Sequence, residues 1–287
     1  MASDATLIMG AVAYAPKVVT IWDGFKDFFV KQGLVFDYVL YSNYERQVEA
    51  MFSGAIHVAW NSPLAWVRAE RLARARGVPI EAIVMRDSDC DLTSVIVVRS
   101  DSNINSLADL KGKKVAVGAL DSPQATLIPL DYLRGQGLKP GVDFTVRRFD
   151  VLGGKHGDHI GGERDAARAL IDGLVDAACM IDSNHLLFIN EGTLPAAKTR
   201  VLAQTPAFDH CNFTVSPNAP AGAIQRFKAL LLGMSYADPE VRPLFDLEGL
   251  KAWKPGRTNG YQLLQGAVDA TGFYDTSGNI TVADYRY

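Results

Sequence analysis

Cysteine is scarce in this chain, with only Cys90, Cys179 and Cys211 among 287 residues. None lies within a few residues of another, which excludes the close Cys-x-x-Cys spacing of a structural zinc site or a redox dithiol. One disulfide at most can form, and the sequence picks out no pair. No stretch reaches the roughly 18 consecutive apolar residues of a membrane span. The opening Met-Ala-Ser-Asp-Ala-Thr has neither a basic start nor an apolar core, so it does not read as a signal peptide. Two alternatives stay open: a cytosolic protein, or an exported one whose leader was removed and replaced by a start Met. An excess of charge is lacking too, since the net charge is −3, too balanced to announce a nucleic-acid or membrane partner. Also missing are a Gly-x-Ser-x-Gly elbow, a phosphate-cradling Walker loop and a dinucleotide fingerprint. Catalysis therefore has thin support.

What is present is ordinary globular chemistry, 48% hydrophobic and 21% charged, in a length that suits two domains. Apolar runs at Leu7–Tyr14, Val35–Leu40, Ile56–Trp60, Ile83–Met85 and Ser94–Arg99 read as strands. Helix-like periodicity separates them over Pro16–Val30, from Tyr44 to Phe52, and over Pro63–Ala75. The β-branched run Ser94–Arg99 suits a strand covered on both faces. A polar connection, Asp101–Lys113, precedes a second series: strands at Val115–Leu120, Phe144–Phe149, Ala177–Ile181 and Val201–Ala207, with helices at Pro123–Gln136 and Arg164–Asp172. Further helices are expected at Ala221–Tyr236, Pro239–Phe245 and Tyr261–Thr271. The alternation predicts an α/β protein with mostly parallel sheets. Crossings near residues 100 and 200 divide it into two hinged lobes, 1–100 with 204–287 and 101–203.

Three prolines follow strands at the expected first turn of a helix: Ala15-Pro16, Ser62-Pro63 and Ser122-Pro123. Serine caps such a start well. Ligands of open α/β sheets sit at the carboxyl ends of strands, where helix starts offer N–H groups to anions. Among the clustered aromatics of the first lobe, Tyr14, Trp22, Tyr41, Tyr44, Trp60 and Trp66, most are expected in the core. Tyr44 is set apart because it follows Ser42-Asn43 at a strand-to-helix junction. The segment Gly153–Arg164 holds five glycines, His156, His159, Asp158, Glu163 and two cations. Contacts to a bound anion are one reading of it, a mobile surface loop another. A third makes His156, His159 and Glu163 metal ligands. His57 reads as a satisfied core residue, and His185 and His210 show no acid–base partner. The basic run Arg68, Arg71, Arg74 and Arg76 reads as a solvated helix face rather than a docking surface. Cys179, in an apolar run, reads as a small packed hydrophobe.

Several segments resemble the phosphate/phosphonate-type substrate-binding proteins of ABC transporters, members of the type 2 periplasmic-binding-protein superfamily. They are Ser106-Leu-Ala-Asp-Leu-Lys-Gly-Lys-Lys-Val-Ala-Val-Gly followed by Asp121-Ser122-Pro123; Tyr44 with the helix to Ser53-Gly54 and the strand into Asn61-Ser62-Pro63; Leu138-Lys-Pro-Gly-Val-Asp-Phe; and Asp165-Ala-Ala-Arg-Ala-Leu-Ile-Asp-Gly-Leu-Val-Asp-Ala-Ala. The resemblance implies a two-lobed fold with the ligand in a cleft between hinged lobes. It implies a small polar, anionic ligand of phosphonate, phosphate or sulfonate type. It further implies an extracytoplasmic place, a membrane permease as partner, a monomeric chain, no cofactor and no catalysis. In that family a tyrosine matching Tyr44 contacts ligand, and a Ser-Thr-Ser run binds the phosphonate oxygens. Here only Ser122 matches that run plainly; Pro123 and Gln124 replace the other hydroxyls, and Thr126 compensates. Arg164 stands where the family has a ligand histidine, and Asp182 keeps the acid after the strand. Tyr14, Asn61, Ser62 and His159 complete the expected ligand set. An enzyme on the same fold, such as a pyrimidine-forming relative, and a ligand-sensing subunit are the alternatives.

Overall fold

The computed structural model describes residues 6–157 and 161–287. The opening residues 1–5, on which the leader reading turns, lie outside the described residues. Contacts within the chain gather into two compact units. The first is Met1–Cys90, Asp209–Tyr261 and Tyr274–Ile280, and the second is Asp91–Phe208, Gln262–Phe273 and Thr281–Tyr287.

In the first unit the chain runs β1 (Leu7–Val12), α1 (Lys17–Lys31), β2 (Phe36–Tyr41), α2 (Tyr44–Ser53), β3 (Val58–Asn61), α3 (Pro63–Arg76) and β4 (Glu81–Arg86). The second unit supplies β5 (Ser94–Arg99), β6 (Lys114–Val117), α4 (Ile128–Gly135), β7 (Thr145–Arg148), α5 (Gly161–Ile171), β8 (Ala177–Ile181), α6 (Asp182–Asn190) and β9 (Thr199–Gln204). The chain then returns with β10 (Asn212–Val215), α7 (Ala221–Gly233), α8 (Arg242–Glu248) and β11 (Trp253–Pro255), and α9 (Gln262–Thr271) joins the second unit. The first sheet is ordered β11-β4-β10-β3-β1-β2 and the second β7-β6-β8-β5-β9.

Neither sheet is mostly parallel, which corrects the expectation from the sequence. The βαβ units do pair in parallel, β1 with β2 and β3, and β6 with β7 and β8. β10 and β11 enter the first sheet antiparallel, and β5 lies antiparallel between β8 and β9. β10 lies between β4 and β3, and β5 between β8 and β9; such pairing is set by the tertiary path of the chain, and the apolar pattern of a strand carries no sign of it. The pairing of β5 also shifts the boundary: Ser94–Arg99 belongs to the second unit, β9 is that unit's edge, and the chain returns after Phe208.

Packing explains why these runs are strands and helices. Val95 and Val97 enter one core cluster while Ile96 and Val98 enter another. Alternate residues of a strand point to opposite faces, so β5 is covered on both, as its β-branched run predicts. Helix α1 buries Val18, Ile21, Trp22, Phe25 and Phe29 as one stripe. That stripe meets Phe36, Phe213, Phe227 and Trp253 in the first unit's main core. Each such side chain contributes roughly 1.5–3 kcal/mol on full burial.

The arginines of α3 overturn a second expectation. Arg68 and Arg71 are 7% exposed rather than solvated. Arg68 donates to the carbonyls of Glu45 and Gly278, and Arg71 to those of Tyr274 and Asp275. Their planar donor forks thus pin the Tyr274–Ile280 segment to the helix. Helix α6 and strands β10 and β11 are further findings beyond the sequence reading.

Candidate functional site

In the first unit, β2, β1 and β3 are parallel neighbours, so the turns after them share one end of the sheet. Those turns carry Tyr14, Ser42-Asn43 and Ser62. Asn43 caps α2 by accepting from the Arg46 N–H at 2.9 Å, and Ser62 caps α3 by accepting from the Ala65 N–H at 3.1 Å, with Pro63 at the first helical position. Asn61 is fully buried. Its Oδ1 accepts from Gln47 Nε2 at 2.8 Å, and the same amide donates to the Trp60 carbonyl at 2.8 Å. Among the described residues Gln47 Oε1 has no hydrogen-bond partner. Gly10 makes this approach feasible, because a Cβ there would lie 2.5 Å from Ile56 and 3.3 Å from Gln47. The Tyr44 ring packs with Val12, Val48, Ala65 and Ala69.

The second unit repeats the arrangement on β7, β6 and β8. After β6, Ser122 caps the next helix by accepting from Ala125 N–H at 3.2 Å. The first turn, Pro123–Leu127, is π-wound and leads into α4. Local π windings often mark functional positions. The loop after β7 packs against this helix start. A Cβ on Gly157, at φ +63°, would overlap the Ser122 side chain. Gln124 Nε2 donates to the Gly157 carbonyl at 2.7 Å and to Glu163 Oε1 at 3.1 Å. Glu163 is 2% exposed, and its Oε2 accepts from Ile181 N–H at 3.0 Å and Asn184 Nδ2 at 2.9 Å. One carboxylate thereby joins α5, the end of β8 and the start of α6 to the Ser122 turn.

Asp121 organises the same loop. Its Oδ2 accepts from the N–H groups of Gly154 and His156, at 2.7 and 3.1 Å, and from Tyr285 Oη at 3.1 Å. Leu152 and His156 hold left-handed backbone, at φ 60° and 53°, a strained state for residues with a Cβ. The loop is thus pre-set by Asp121 rather than shaped by glycine alone.

A family model described as the periplasmic substrate-binding protein of a phosphonate ABC transporter matches residues 12–261. The chain belongs to this family. It is accordingly a solute-binding protein of the ABC-transporter class. The fold agrees with solved structures of such proteins. PhnD1 of Prochlorococcus marinus, solved in complex with methylphosphonate, is 17% identical, with a TM-score of 0.68 over 94% of this chain and 99% of that one. A binding-protein component of an ABC phosphonate transporter from Pseudomonas aeruginosa is 15% identical, with a TM-score of 0.64 over 98% and 91%. The periplasmic aliphatic sulphonate binding protein SsuA of Escherichia coli is 20% identical, with a TM-score of 0.59 over 95% and 92%.

Within this family member, the expected site residues divide between the units. Tyr14, Tyr44, Asn61 and Ser62 lie at the first unit's strand ends, and Ser122, Gln124, Thr126 and Asp182 at the second's. His159 lies outside the described residues. Thr126 donates its hydroxyl to the Ala119 carbonyl at 2.7 Å, so it shapes the turn. Asp182 Oδ2 accepts from the Thr93 hydroxyl at 2.8 Å, and its Oδ1 from Ser183 N–H at 2.7 Å. Arg164 pairs with Glu191 at 3.0 Å and lies over the Phe188 ring at 5.2 Å. Of the three residues considered for metal binding, Glu163 has both oxygens engaged by Gln124, Ile181 and Asn184. Sequence reasoning missed Gln47, Asp121 and Tyr285, and saw Glu163 only as a metal candidate. The adjacency of Asp121 to Ser122-Pro123 is the one local hint among them.

His57 is satisfied, though half-buried rather than in the core. Its Nδ1 accepts from Ile8 N–H at 3.0 Å, and burial lowers its pKa. His210 corrects the sequence reading, since its Nδ1 lies 3.5 Å from Asp89 and 3.1 Å from Cys211 Sγ.

Proposed function

We propose that the protein is the extracytoplasmic solute-capturing subunit of an ABC uptake system. It takes a small phosphorus- or sulfur-centred oxyanion and hands it unchanged, as a monomer, to a membrane permease. The match of residues 12–261 to the phosphonate-binding family carries this reading. Supporting it, each unit presents a capped helix start and buried amides or hydroxyls at the C-terminal ends of parallel strands, where anions are bound in α/β sheets.

In the second unit Ser122 and Gln124 meet the oxyanion, held in place by Glu163 and Gly157. Arg164 adds charge once it turns from Glu191, and Asp182 accepts from a protonated oxygen or an amine of the ligand. His159 is assigned to the same anion. In the first unit Asn61, Ser62, Tyr14 and Tyr44 supply polar contacts, and Gln47 Oε1 favours a ligand that also carries a donor.

Thermal unfolding of ligand-stripped protein tests the class. Methylphosphonate, aminoalkylphosphonates, phosphate and alkanesulfonates serve as probes, with carboxylates and pyrimidines as contrasts. A true ligand at about one hundred times its dissociation constant adds about 2.7 kcal/mol. Stabilisation by carboxylates or pyrimidines alone overturns the oxyanion class. Recovery of a chemically altered ligand overturns the binding role in favour of an enzyme on this fold. Ser122→Gly tests the site, because glycine at an N-cap costs only a few tenths of a kcal/mol. Loss of one hydrogen bond to a charged ligand costs roughly 1.5–3 kcal/mol, so affinity drops tenfold or more with the apo melting temperature little changed. Unchanged affinity removes Ser122 from the site.

A further inference from the structure

Asp89, His210 and Cys211 bring one oxygen, one nitrogen and one sulfur within 4.8 Å of one another, all buried, in the first unit. We propose that this trio is a binding site for a borderline divalent cation of the zinc type. The inference is independent of the solute reading, and none of its residues belongs to the ligand set.

Geometry is the first argument. Zinc bonds of 2.0–2.3 Å to oxygen, nitrogen and sulfur place tetrahedral neighbours about 3.4–3.6 Å apart. His210 Nδ1 lies 3.5 Å from Asp89 Oδ1 and 3.1 Å from Cys211 Sγ, so the imidazole already stands near zinc-ligand spacing from both. The convergence is itself built. Neighbouring residues in extended backbone point to opposite faces, yet His210 and Cys211 meet just before β10 begins.

The surroundings hold the donors still. His210 N–H donates to the Asp89 carbonyl at 2.8 Å, and the His210 carbonyl accepts from Tyr261 Oη at 2.8 Å. Asn212 in turn donates to Tyr261 Oη at 2.8 Å. Arg86 grips Asp89 with two donors, at 2.5 and 2.8 Å, and reaches Glu248 at 3.2 Å. Such outer partners fix ligand orientation in metal sites. Arg86 bridges two buried carboxylates, Asp89 and Glu248, and so holds the Asp89 carboxylate in place. Binding takes the Cys211 thiol proton to solvent and leaves the His210 proton on Nε2. A water completes the fourth position. His210, at 8% exposure against 1% and 2% for Asp89 and Cys211, marks the way in.

The set of donors selects the metal. A thiolate and an imidazole exclude magnesium and calcium, which take oxygen ligands. The consequence for the protein is a clip joining the end of the first segment, at Asp89, to the start of the second, at His210, both in the same unit.

The test titrates tag-free, chelator-treated protein with Co2+ and then Zn2+. A thiolate-to-cobalt charge-transfer absorption, saturating at one ion per chain and displaced by Zn2+, is expected. Cys211→Ser abolishes it, and His210→Gln weakens Co2+ binding tenfold or more. Folded wild-type protein without this absorption overturns the proposal, as does an absorption that persists in Cys211→Ser. Should that variant not fold, the unaltered chain decides. In urea just below the unfolding transition, where the buried Cys211 thiol reacts through transient opening, Zn2+ slows its alkylation, read by peptide mass spectrometry, at least tenfold if the site exists. An unchanged rate at Cys211 overturns it.

Discussion

Cys179 is wholly buried in β8, between β5 and β6, and burial with the nearby Glu163 charge pushes its thiol pKa up to about 12. The thiolate is the reactive form, so at pH 8 Cys179 should resist alkylation in the folded protein while half-buried Cys90 is modified. Mass spectrometry of tryptic peptides checks this, and Cys179 should react only after denaturation. His57 gives a pH dependence. Its unfolded pKa is near 6.5, and burial holds the folded value lower. Between the two values the unfolded chain binds more protons. The stabilisation is therefore complete above pH 6.5 and falls away as pH drops below it. Protonating Nδ1 also breaks its hydrogen bond from Ile8 N–H. The melting temperature should fall between pH 7.5 and 5.5, and by less in His57→Gln. The contrast among cysteines and histidines shows what was legible at this scale. Cys179 sits in an apolar run that announces a core residue. The partner of His210 is Asp89, more than a hundred positions away, and no local pattern reports such a pair.

Elements were read well wherever their own apolar pattern decides them. β5 and β8 run over Ser94–Arg99 and Ala177–Ile181, the spans their unbroken apolar runs predict. Helix α6 was invisible because its start, Asp182-Ser183-Asn184, is polar and Leu186 and Leu187 are exposed, so no apolar stripe forms. Helix α3 misled for the opposite reason. Arg68 and Arg71 look solvated because their acceptors come from residues 274–278. Arg71→Ala leaves buried carbonyls of that segment unpaired, at about 1–3 kcal/mol. Urea unfolding should show that loss, and hydrogen exchange should quicken in Tyr274–Ile280. The candidate site behaves likewise. Ser122 and Gln124 were legible as a strand-end turn and Gly153–Arg164 as an unusual loop, whereas the contacts that join the two were not. Gly157→Ala puts a Cβ into left-handed backbone against Ser122, a strain of roughly 1–3 kcal/mol. It should lower the melting temperature and weaken solute binding together, as the Gln124 bond to the Gly157 carbonyl is lost.

At the scale of the whole chain, the sequence suggested two crossings between the halves, yet the units exchange the chain at 90/91, 208/209, 261/262, 273/274 and 280/281. The last three were illegible because their effect lies in packing: α9 docks on α4, and the tail brings Tyr285 to Asp121. This makes the C-terminal segment structural for both units. A chain ending at Tyr261 loses Leu264, Val268 and Phe273, all 1% exposed or less. At roughly 1.5–3 kcal/mol each, these three alone amount to about 5–9 kcal/mol, comparable to a domain's whole stability of about 5–15 kcal/mol. The same cut strips Arg68 and Arg71 of the carbonyls of Gly278, Tyr274 and Asp275. The shortened chain should therefore lack the near-ultraviolet circular dichroism of packed aromatics and show no cooperative urea transition. Removing only Thr281–Tyr287 spares α9 and the arginine acceptors. It should leave a cooperative transition at lower urea, with hydrogen exchange quickened in the Leu152–Gly157 loop that Asp121 and Tyr285 hold. Equal damage from both cuts would show that the tail, rather than α9, carries the second unit's stability.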